Sequence, residues 1–292
     1  MNRLSELIIG LRQLKGVGRQ KIKQLLDMII APQALSFNEI IEIGQTFHLI
    51  SSQICQADIA QALAYARRVI DECDQLGIQA VSYFDDRFPE SLKFDDQPIL
   101  LYYKGDLKIL NHSKRAAVIG SRSPSQLGCD FAFQAGKILA ENNFVVISGL
   151  AVGADDCGHR GCLEAGGKTV AFLPSGVTPV YPSSNCRLAE KICTSGGALV
   201  SEYSHLETVQ PYKFIERDRL QSGASGFVIV SSFSPGSGTI HTLRYASKYN
   251  KPIYSIPVIY DQSRDGFNHI SQKNIDFQIK ENTDLNCLIE NY

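Results

Sequence analysis

Small, polar and basic residues follow several apolar segments of this sequence at points where an anion could bind. In the first group, Gly120, Ser121 and Arg122 come directly after the apolar run "RAAVI". Unhindered backbone N–H groups ahead of a helix favour a phosphate, and an arginine can pair with it. Taken alone, this tripeptide is more typical of a simple turn with a surface arginine.

The second group lies in "VVISGLAVGADDCGHRG" and contains Ser148, Gly149 and Gly153, of which the glycines permit close backbone approach. Asp155 and His159 follow, four residues apart and therefore on one face of the predicted helix. They could form an acid–base or metal-binding pair, but two ligands do not complete a metal site. We interpret them as a hydrogen-bonded structural pair that holds the loop.

A third turn, "LPSGVTPVYPSSNCRL", is either a polar wall for a phosphate or base or a proline-fixed loop. It brings to the same rim Ser175, Gly176, Tyr181, Pro182, Asn185 and Arg187.

The fourth group precedes another predicted helix and has the composition of a phosphate cradle. It consists of Gly236, Ser237, Gly238 and Thr239. The lysine and the spacing of a P-loop are missing. Four such turns together indicate a ligand that carries several phosphates.

Basic residues are also concentrated in "YKFIERDRL", where Lys213, Arg217 and Arg219 alternate with acidic residues. This pattern predicts either a solvated charged face or a rim that contacts phosphates.

Near the amino terminus, "KGVGRQK" fits a turn between two helices. Gly16 and Gly18 could offer backbone amides to a DNA phosphate, with Lys21 adding charge, as in helix-hairpin-helix DNA-binding turns; such a turn can also be purely structural.

The elements that must position these residues are predicted by alternating patterns. From residue 115 onward, continuous apolar runs alternate with helical segments, which predicts an α/β, doubly wound, mostly parallel sheet of the extended Rossmann-like type. Ligands of such sheets bind at the carboxyl ends of the strands, where the four turns lie. Apolar spacing from Leu4 to Leu14 predicts helices before the sheet. We expect a helical domain over 1–75 and the Rossmann-like domain over 76–292.

Composition limits the range of functions. The net charge of −1 excludes a protein-wide field that attracts polyanions, so a nucleic-acid site must be local. The eight cysteines form no matched C-x-x-C pairs, which predicts free thiols and a cytoplasmic location. No run of about 18 apolar residues and no secretory signal pattern occurs, so we expect neither a membrane partner nor export.

Several motifs in order resemble the DNA-processing protein A (DprA, or Smf) family. They include "RFPESLKFDDQPILLYYKGDL", "AVIGSRSPSQLG", "FIERDRL", "SPGSGTIHT" and "GFNHI". The resemblance implies a homodimer that binds single-stranded DNA and hands it to a RecA-type recombinase in DNA recombination and natural transformation, with no turnover, cofactor or metal. It also implies that the turn at 120–122 holds a backbone phosphate, with a surrounding set of Lys168, Asn185, Arg187, Arg217 and Arg219.

The chain departs from the family pattern at two site positions. Val152 stands where the turn S-G-L-A-R-G has a basic residue, and Asp218 stands where R-N-R has asparagine. The winged-helix tail of many members has no evident counterpart. Two alternatives therefore stay open: a DprA-like effector of an anti-phage defence module acting on DNA replication or repair, and a nucleotide-sensing Rossmann-like domain that does not bind DNA.

An enzymatic alternative rests on a similarity to cytokinin-activating phosphoribohydrolases, whose signature P-G-G-x-G-T-x-x-E aligns with Gly236, Gly238 and Thr239. Thr242 stands in place of the catalytic glutamate. Because a hydroxyl cannot act as general acid or base at neutral pH, we predict no nucleotide hydrolysis by that mechanism.

Overall fold

The computed structural model describes residues 3–233, 236–255, 279–281 and 289. The α-helices are α1 (Arg3–Gln13), α2 (Arg19–Asp27), α3 (Phe37–Thr46), α4 (Gln56–Gln75), α5 (Gln126–Glu141), α6 (Ala154–Glu164), α7 (Cys186–Thr194), α8 (Pro211–Ala224) and α9 (Thr239–Lys248). The strands are β1 (Gln79–Ser82), β2 (Leu100–Gly105), β3 (Arg115–Ile119), β4 (Val145–Ser148), β5 (Thr169–Phe172), β6 (Ala198–Ser201), β7 (Phe227–Val230), β8 (Ile253–Ser255) and β9 (Ile279–Glu281).

Within the described residues, the strands form one sheet in the order β1-β2-β6-β5-β4-β3-β7-β8-β9. β2 pairs antiparallel with both β1 and β6, and the neighbours from β6 to β9 are parallel. Helices α5 to α9 each connect one parallel strand to the next along the chain. The predicted Rossmann-like, mostly parallel fold is confirmed.

Both faces of the sheet are buried, which explains why its strands are continuously apolar. Val118 and Val146 share a core with residues of α5 and α6. On the opposite face, Val228 shares a core with Leu220 of α8 and Leu243 of α9.

The amino-terminal helices begin at local capping signals. Ser36 accepts a hydrogen bond from the Glu39 amide at 3.2 Å, and the Glu39 carboxylate accepts one from the Ser36 amide at 2.6 Å, which forms a capping box ahead of α3. Apolar side chains of these helices share one core with Leu100 and Leu199 of the sheet. The helical segment is therefore packed against the sheet, and the domain boundary at residue 76 stays a prediction.

One sequence-based prediction is wrong. Cys129 of α5 and Cys157 of α6 form a disulfide, with their Cα atoms 5.7 Å apart, so the thiols are not all free. Spacing could not indicate this bond because it joins two crossover helices that meet only in the folded sheet.

None of the helices in the described part of the chain is long and apolar enough to cross a bilayer. The motif "GFNHI", residues 266–270, lies outside the described residues.

Candidate functional site

A cleft of about 720 Å³ opens at the carboxyl ends of the central parallel strands. Its lining comes from the loops after β3 and β4, from one face of α8 and from the start of α9. Of the predicted residues it contains Gly120, Ser121, Arg122, Asp155, Arg217, Ser237, Gly238 and Thr239. The first, second and fourth turns thus meet at one edge of the sheet, as predicted for the doubly wound fold.

The loop after β3 is held by its neighbours on both sides. The Ser121 amide donates to the Ser232 carbonyl at 2.6 Å, and the Ser121 carbonyl accepts from the Ala154 amide at 3.0 Å. Thr239 donates its hydroxyl to the Gly120 carbonyl at 3.0 Å. A Cβ on Gly120 would lie 2.4 Å from the hydroxyl oxygen of Ser231, so a larger residue would displace this loop.

Gly153 belongs to the same arrangement. Its φ of +87° favours glycine, and a Cβ there would lie 2.5 Å from the Ser121 carbonyl oxygen. Gly236 has a φ of +78° and is exposed just before the start of α9, outside the lining of the cleft.

Arg122 is exposed at the mouth of the cleft, and its guanidinium lies over the ring of Phe214, 4.6 Å from the centroid. Phe214 in turn contacts Tyr181 edge to face, with the ring centroids 5.9 Å apart. No ion pair involving Arg122 occurs among the described residues. The cation is therefore available to an external anion, and two rings lie beside it.

Sequence reasoning missed Phe214 as a site residue. A usable signal existed, because Phe214 precedes Arg217 and Asp218 by three and four residues and so shares their helix face. Tyr181 was expected at the rim as part of the third turn, and it lines the smaller cavity beside the cleft.

Arg217 lies deeper in the cleft and is already surrounded by oxygen atoms. Its Nη1 donates to the Phe172 carbonyl at 3.0 Å, and its guanidinium lies 3.1 Å from an Asp218 carboxyl oxygen and 4.0 Å from one of Asp155. A Cβ on Gly149 would lie 1.3 Å from Nη1, so the arginine occupies the space that this glycine leaves. Arg217 is thus a buried, paired cation, not an exposed rim residue.

Asp218 is a buried carboxyl group whose residue lines the cleft. Burial raises its pKa to about 7, opposed by Arg217, and the negative charge of Asp155 raises it further. The Thr242 hydroxyl hydrogen-bonds to it. Phosphoribohydrolases carry their glutamate at the position of Thr242, so here the nearby carboxyl comes from a different helix.

Asp155 and His159 are structural residues, but they do not pair with each other. Asp155 accepts hydrogen bonds from the amides of Gly149 at 3.0 Å and Ala151 at 3.4 Å. The Nδ1 atom of His159 lies 2.7 Å from the Thr169 hydroxyl, and burial lowers the His159 pKa to about 3. The predicted pair is corrected to two separate contacts because the two side chains bond to different elements.

Two further predicted residues are also structural. The Ser148 hydroxyl is buried and donates to the Val118 carbonyl at 2.6 Å. The buried Asn185 amide donates to the Leu150 carbonyl at 3.0 Å, so it supports the loop after β4 and does not face the cleft.

Lys213 and Arg219 do not form the predicted rim or a solvated face. Arg219 makes a bidentate pair with Glu202 at 2.5 and 2.7 Å, and its side chain is only 2% exposed. Lys213 is buried with its Nζ 3.2 Å from a Glu207 carboxyl oxygen. Because both charges are neutralised inside the protein, neither can contact a phosphate.

Lys168 and Arg187 lie away from the cleft, which corrects the surrounding set implied by the resemblance. Lys168 precedes β5 and is exposed at the amino end of the parallel strands, the opposite edge of the sheet. Arg187 is exposed on α7 and is not part of the cleft lining.

Gly16, Gly18 and Lys21 line a second cleft of about 510 Å³, between the helical segment and the other side of α8. Gly18 is the N-cap of α2 and provides no side-chain cap. Glu202 and Glu216 also line this cleft, so its cations face nearby carboxylates. The predicted secondary DNA contact is thus separated from the main cleft by α8 and stays a prediction.

The fold and the main cleft define a class: Rossmann-like α/β proteins with an open cleft at the carboxyl ends of their parallel strands. The chain belongs to the DNA recombination-mediator protein A family, whose model matches residues 79–287. The chain is 36% identical over 196 residues to the DNA processing protein DprA of Streptococcus pneumoniae, covering 66% of this chain and 68% of that protein. It is 28% identical over 255 residues to the Smf protein of Synechocystis, covering 84% of this chain and 62% of the relative.

Solved structures of this family agree with the fold. The X-ray structure of Streptococcus pneumoniae DprA superposes with a TM-score of 0.76 at 28% identity, covering 96% of this chain and 95% of that one. A structure that describes the single-stranded DNA binding mode of DNA processing protein A from Helicobacter pylori has a TM-score of 0.65 at 26% identity and covers 73% of this chain and 94% of that one.

Proposed function

We propose that this protein binds single-stranded DNA in the cleft at Arg122. The observation that carries the proposal is the placement of the exposed Arg122 guanidinium over the Phe214 ring at the mouth of the cleft. A cation suits a phosphate, while an aromatic ring suits an unpaired base. The two chemistries side by side match one nucleotide unit of a flexible strand.

The shape of the site favours a strand over a mononucleotide. A smaller cavity of about 160 Å³ adjoins the main cleft and shares Arg122, Phe214 and Arg217 with it. Tyr181, 43% exposed, lies along this smaller cavity. An open groove with two aromatic rings can hold successive nucleotides. The single-stranded DNA binding described for the Helicobacter pylori relative supports the same ligand.

The remaining parts of the proposal follow from family membership. We propose that the protein acts as a homodimer that hands the strand to a RecA-type recombinase, by binding and without catalytic turnover. Thr242, at the position of the hydrolase glutamate, is 3% exposed and bonded to Asp218. Incubation with nucleoside monophosphates should therefore release no free base.

A salt titration tests the binding site. For a fluorescently labelled oligo(dT), the logarithm of the binding constant should fall linearly with the logarithm of the salt concentration. The slope should be about −0.7 for each phosphate neutralised. Arg122→Ala should weaken binding and make this slope shallower by about 0.7. A mononucleotide sensor would instead show a shallow salt dependence and no preference for the longer ligand.

Arg67→Ala is the matched control, because Arg67 is an exposed arginine on α4, away from the cleft. It should bind like wild type. Equal binding by wild type and Arg122→Ala would remove the cleft from the proposal, and failure of wild type to bind any oligonucleotide would remove single-stranded DNA as the ligand.

A further inference from the structure

The charges that line the main cleft cancel. Arg122 and Arg217 are its cations, and Asp155 and Asp218 are its carboxyl groups. With both carboxyl groups ionised, the net charge of this lining is zero, so the lining as a whole does not attract an anion. The one exposed cation, Arg122, would have to act against two carboxylates deeper in the same cleft.

Asp218 is the carboxyl group whose protonation is most easily coupled to a ligand. It is 6% exposed and lines the cleft beside Arg217. The Arg217 Nε–H has no hydrogen-bond acceptor among the described residues, although the Asp218 oxygen is 3.1 Å away. Because this Nε atom is buried, Arg217 stays a paired cation inside the protein, and the exposed Arg122 is the cation of the cleft that a phosphate can reach.

We propose that the protonation state of Asp218 determines whether the cleft accepts a phosphate: the neutral acid admits it beside Arg122, and the carboxylate opposes it. The proposal rests on the function proposed above. It assigns a consequence to the aspartate that stands where the family motif has an uncharged asparagine.

Every element packed around Asp218 contributes to its environment. Arg217 on its own helix and Arg122 on the loop after β3 favour the carboxylate, whereas burial and Asp155 on α6 favour the neutral acid. α9 presents the Thr242 hydroxyl, Tyr245 and His241. Burial and Asp155 outweigh the two arginines and the Thr242 hydroxyl, which places the Asp218 pKa at about 7.

A bound phosphate adds a negative charge next to this carboxyl group, which favours its protonated form. Binding must then take up a proton, and affinity must fall as pH rises through the Asp218 pKa. For a group with a pKa of about 7, the protonated fraction falls about tenfold between pH 6 and pH 8. If only the neutral acid admits phosphate, affinity falls by the same factor.

The test measures binding of labelled oligo(dT) by the full chain at constant ionic strength from pH 6 to pH 8.5. Wild type should bind about tenfold more weakly at pH 8 than at pH 6. Asp218→Asn, which keeps the shape and removes the charge, should bind with one affinity across this range, close to that of wild type at pH 6. Thermal melting of each variant reports whether it is folded.

Two controls separate Asp218 from other groups. Asp71→Asn removes a carboxylate from the exposed face of α4 and should keep the wild-type pH dependence. His241→Gln removes the histidine of the cleft and should also keep it. Calorimetry near pH 7 in two buffers of different ionisation enthalpy should show proton uptake by wild type and none by Asp218→Asn.

The outcomes are distinguishable from failure of the proposed function. Wild-type binding that is unchanged between pH 6 and pH 8, or a pH dependence that persists in Asp218→Asn, would overturn the role of Asp218 while leaving DNA binding intact. No binding by either protein at pH 6 would refute the DNA-binding function itself and this inference with it.

Discussion

The guanidinium of Arg122 lies 4.6 Å from the centroid of the Phe214 ring. The arginine comes from the loop after β3, and the phenylalanine comes from α8, which follows β6. Contact between them brings a cation and an aromatic ring together in one cleft, which neither segment provides alone.

Phe214→Ala should weaken oligonucleotide binding by about 5- to 150-fold, because stacking of a base on an aromatic ring contributes about 1–3 kcal/mol. The salt slope should stay near the wild-type value, since no phosphate contact is lost. Fluorescence anisotropy at several salt concentrations measures both quantities. The control is Phe47→Ala, which removes a ring that is 55% exposed on the helical segment. A salt slope that becomes shallower in Phe214→Ala while the affinity changes little would contradict a stacking role.

Val152→Arg should tighten binding of single-stranded DNA. Val152 is 43% exposed and lines the smaller cavity beside Tyr181. The family motif has a basic residue at this position, so an arginine there should neutralise one more phosphate and steepen the salt slope by about 0.7. Val152→Gln tests size without charge and should leave the slope unchanged. Identical salt slopes for wild type, Val152→Arg and Val152→Gln would show that the DNA strand does not pass residue 152.

Arg219→Ala should destabilise the fold by about 3–5 kcal/mol, because it leaves the buried Glu202 carboxyl without its bidentate partner. Urea unfolding measures this loss. Arg187→Ala is the contrasting variant, and removal of this exposed arginine from α7 should change stability by less than about 0.5 kcal/mol. A stable Arg219→Ala protein that binds DNA poorly would restore the phosphate-contact role.

His159 should make the fold sensitive to acid. Its pKa is lowered to about 3 by burial, below its ordinary value, so the unfolded chain binds the extra proton as pH falls below about 6.5. Stability is therefore fully present above that pH and should drop by about 2 kcal/mol by pH 5, at about 1.36 kcal/mol for each pH unit. Urea unfolding of His159→Gln should lack this part of the pH dependence. Parallel pH profiles for the two proteins would show that His159 is protonated in the fold.

The turns at the ends of β3, β4 and β7 could be predicted because their information is local. Gly120, Gly153 and Gly238 each follow an apolar strand and precede a helix, and the parallel sheet implied by those strands brings their loops to one edge. The family resemblance also placed a phosphate site at residues 120–122, in the same cleft. Lys168 shows the limit of this reasoning. It lies at the amino end of β5, at the edge of the sheet opposite the cleft, and the family resemblance alone did not indicate this position.

The sequence by itself determined the order of strands and helices, the glycine turns and the family of this protein, because each depends on neighbouring residues or on motifs in order. Only the tertiary structure decided which charges remain available. Arg219 and Lys213 are neutralised by Glu202 and Glu207, whereas Arg122 is free to meet a ligand over Phe214. Burial and ion pairing depend on groups that distant elements bring together, and no local pattern records them.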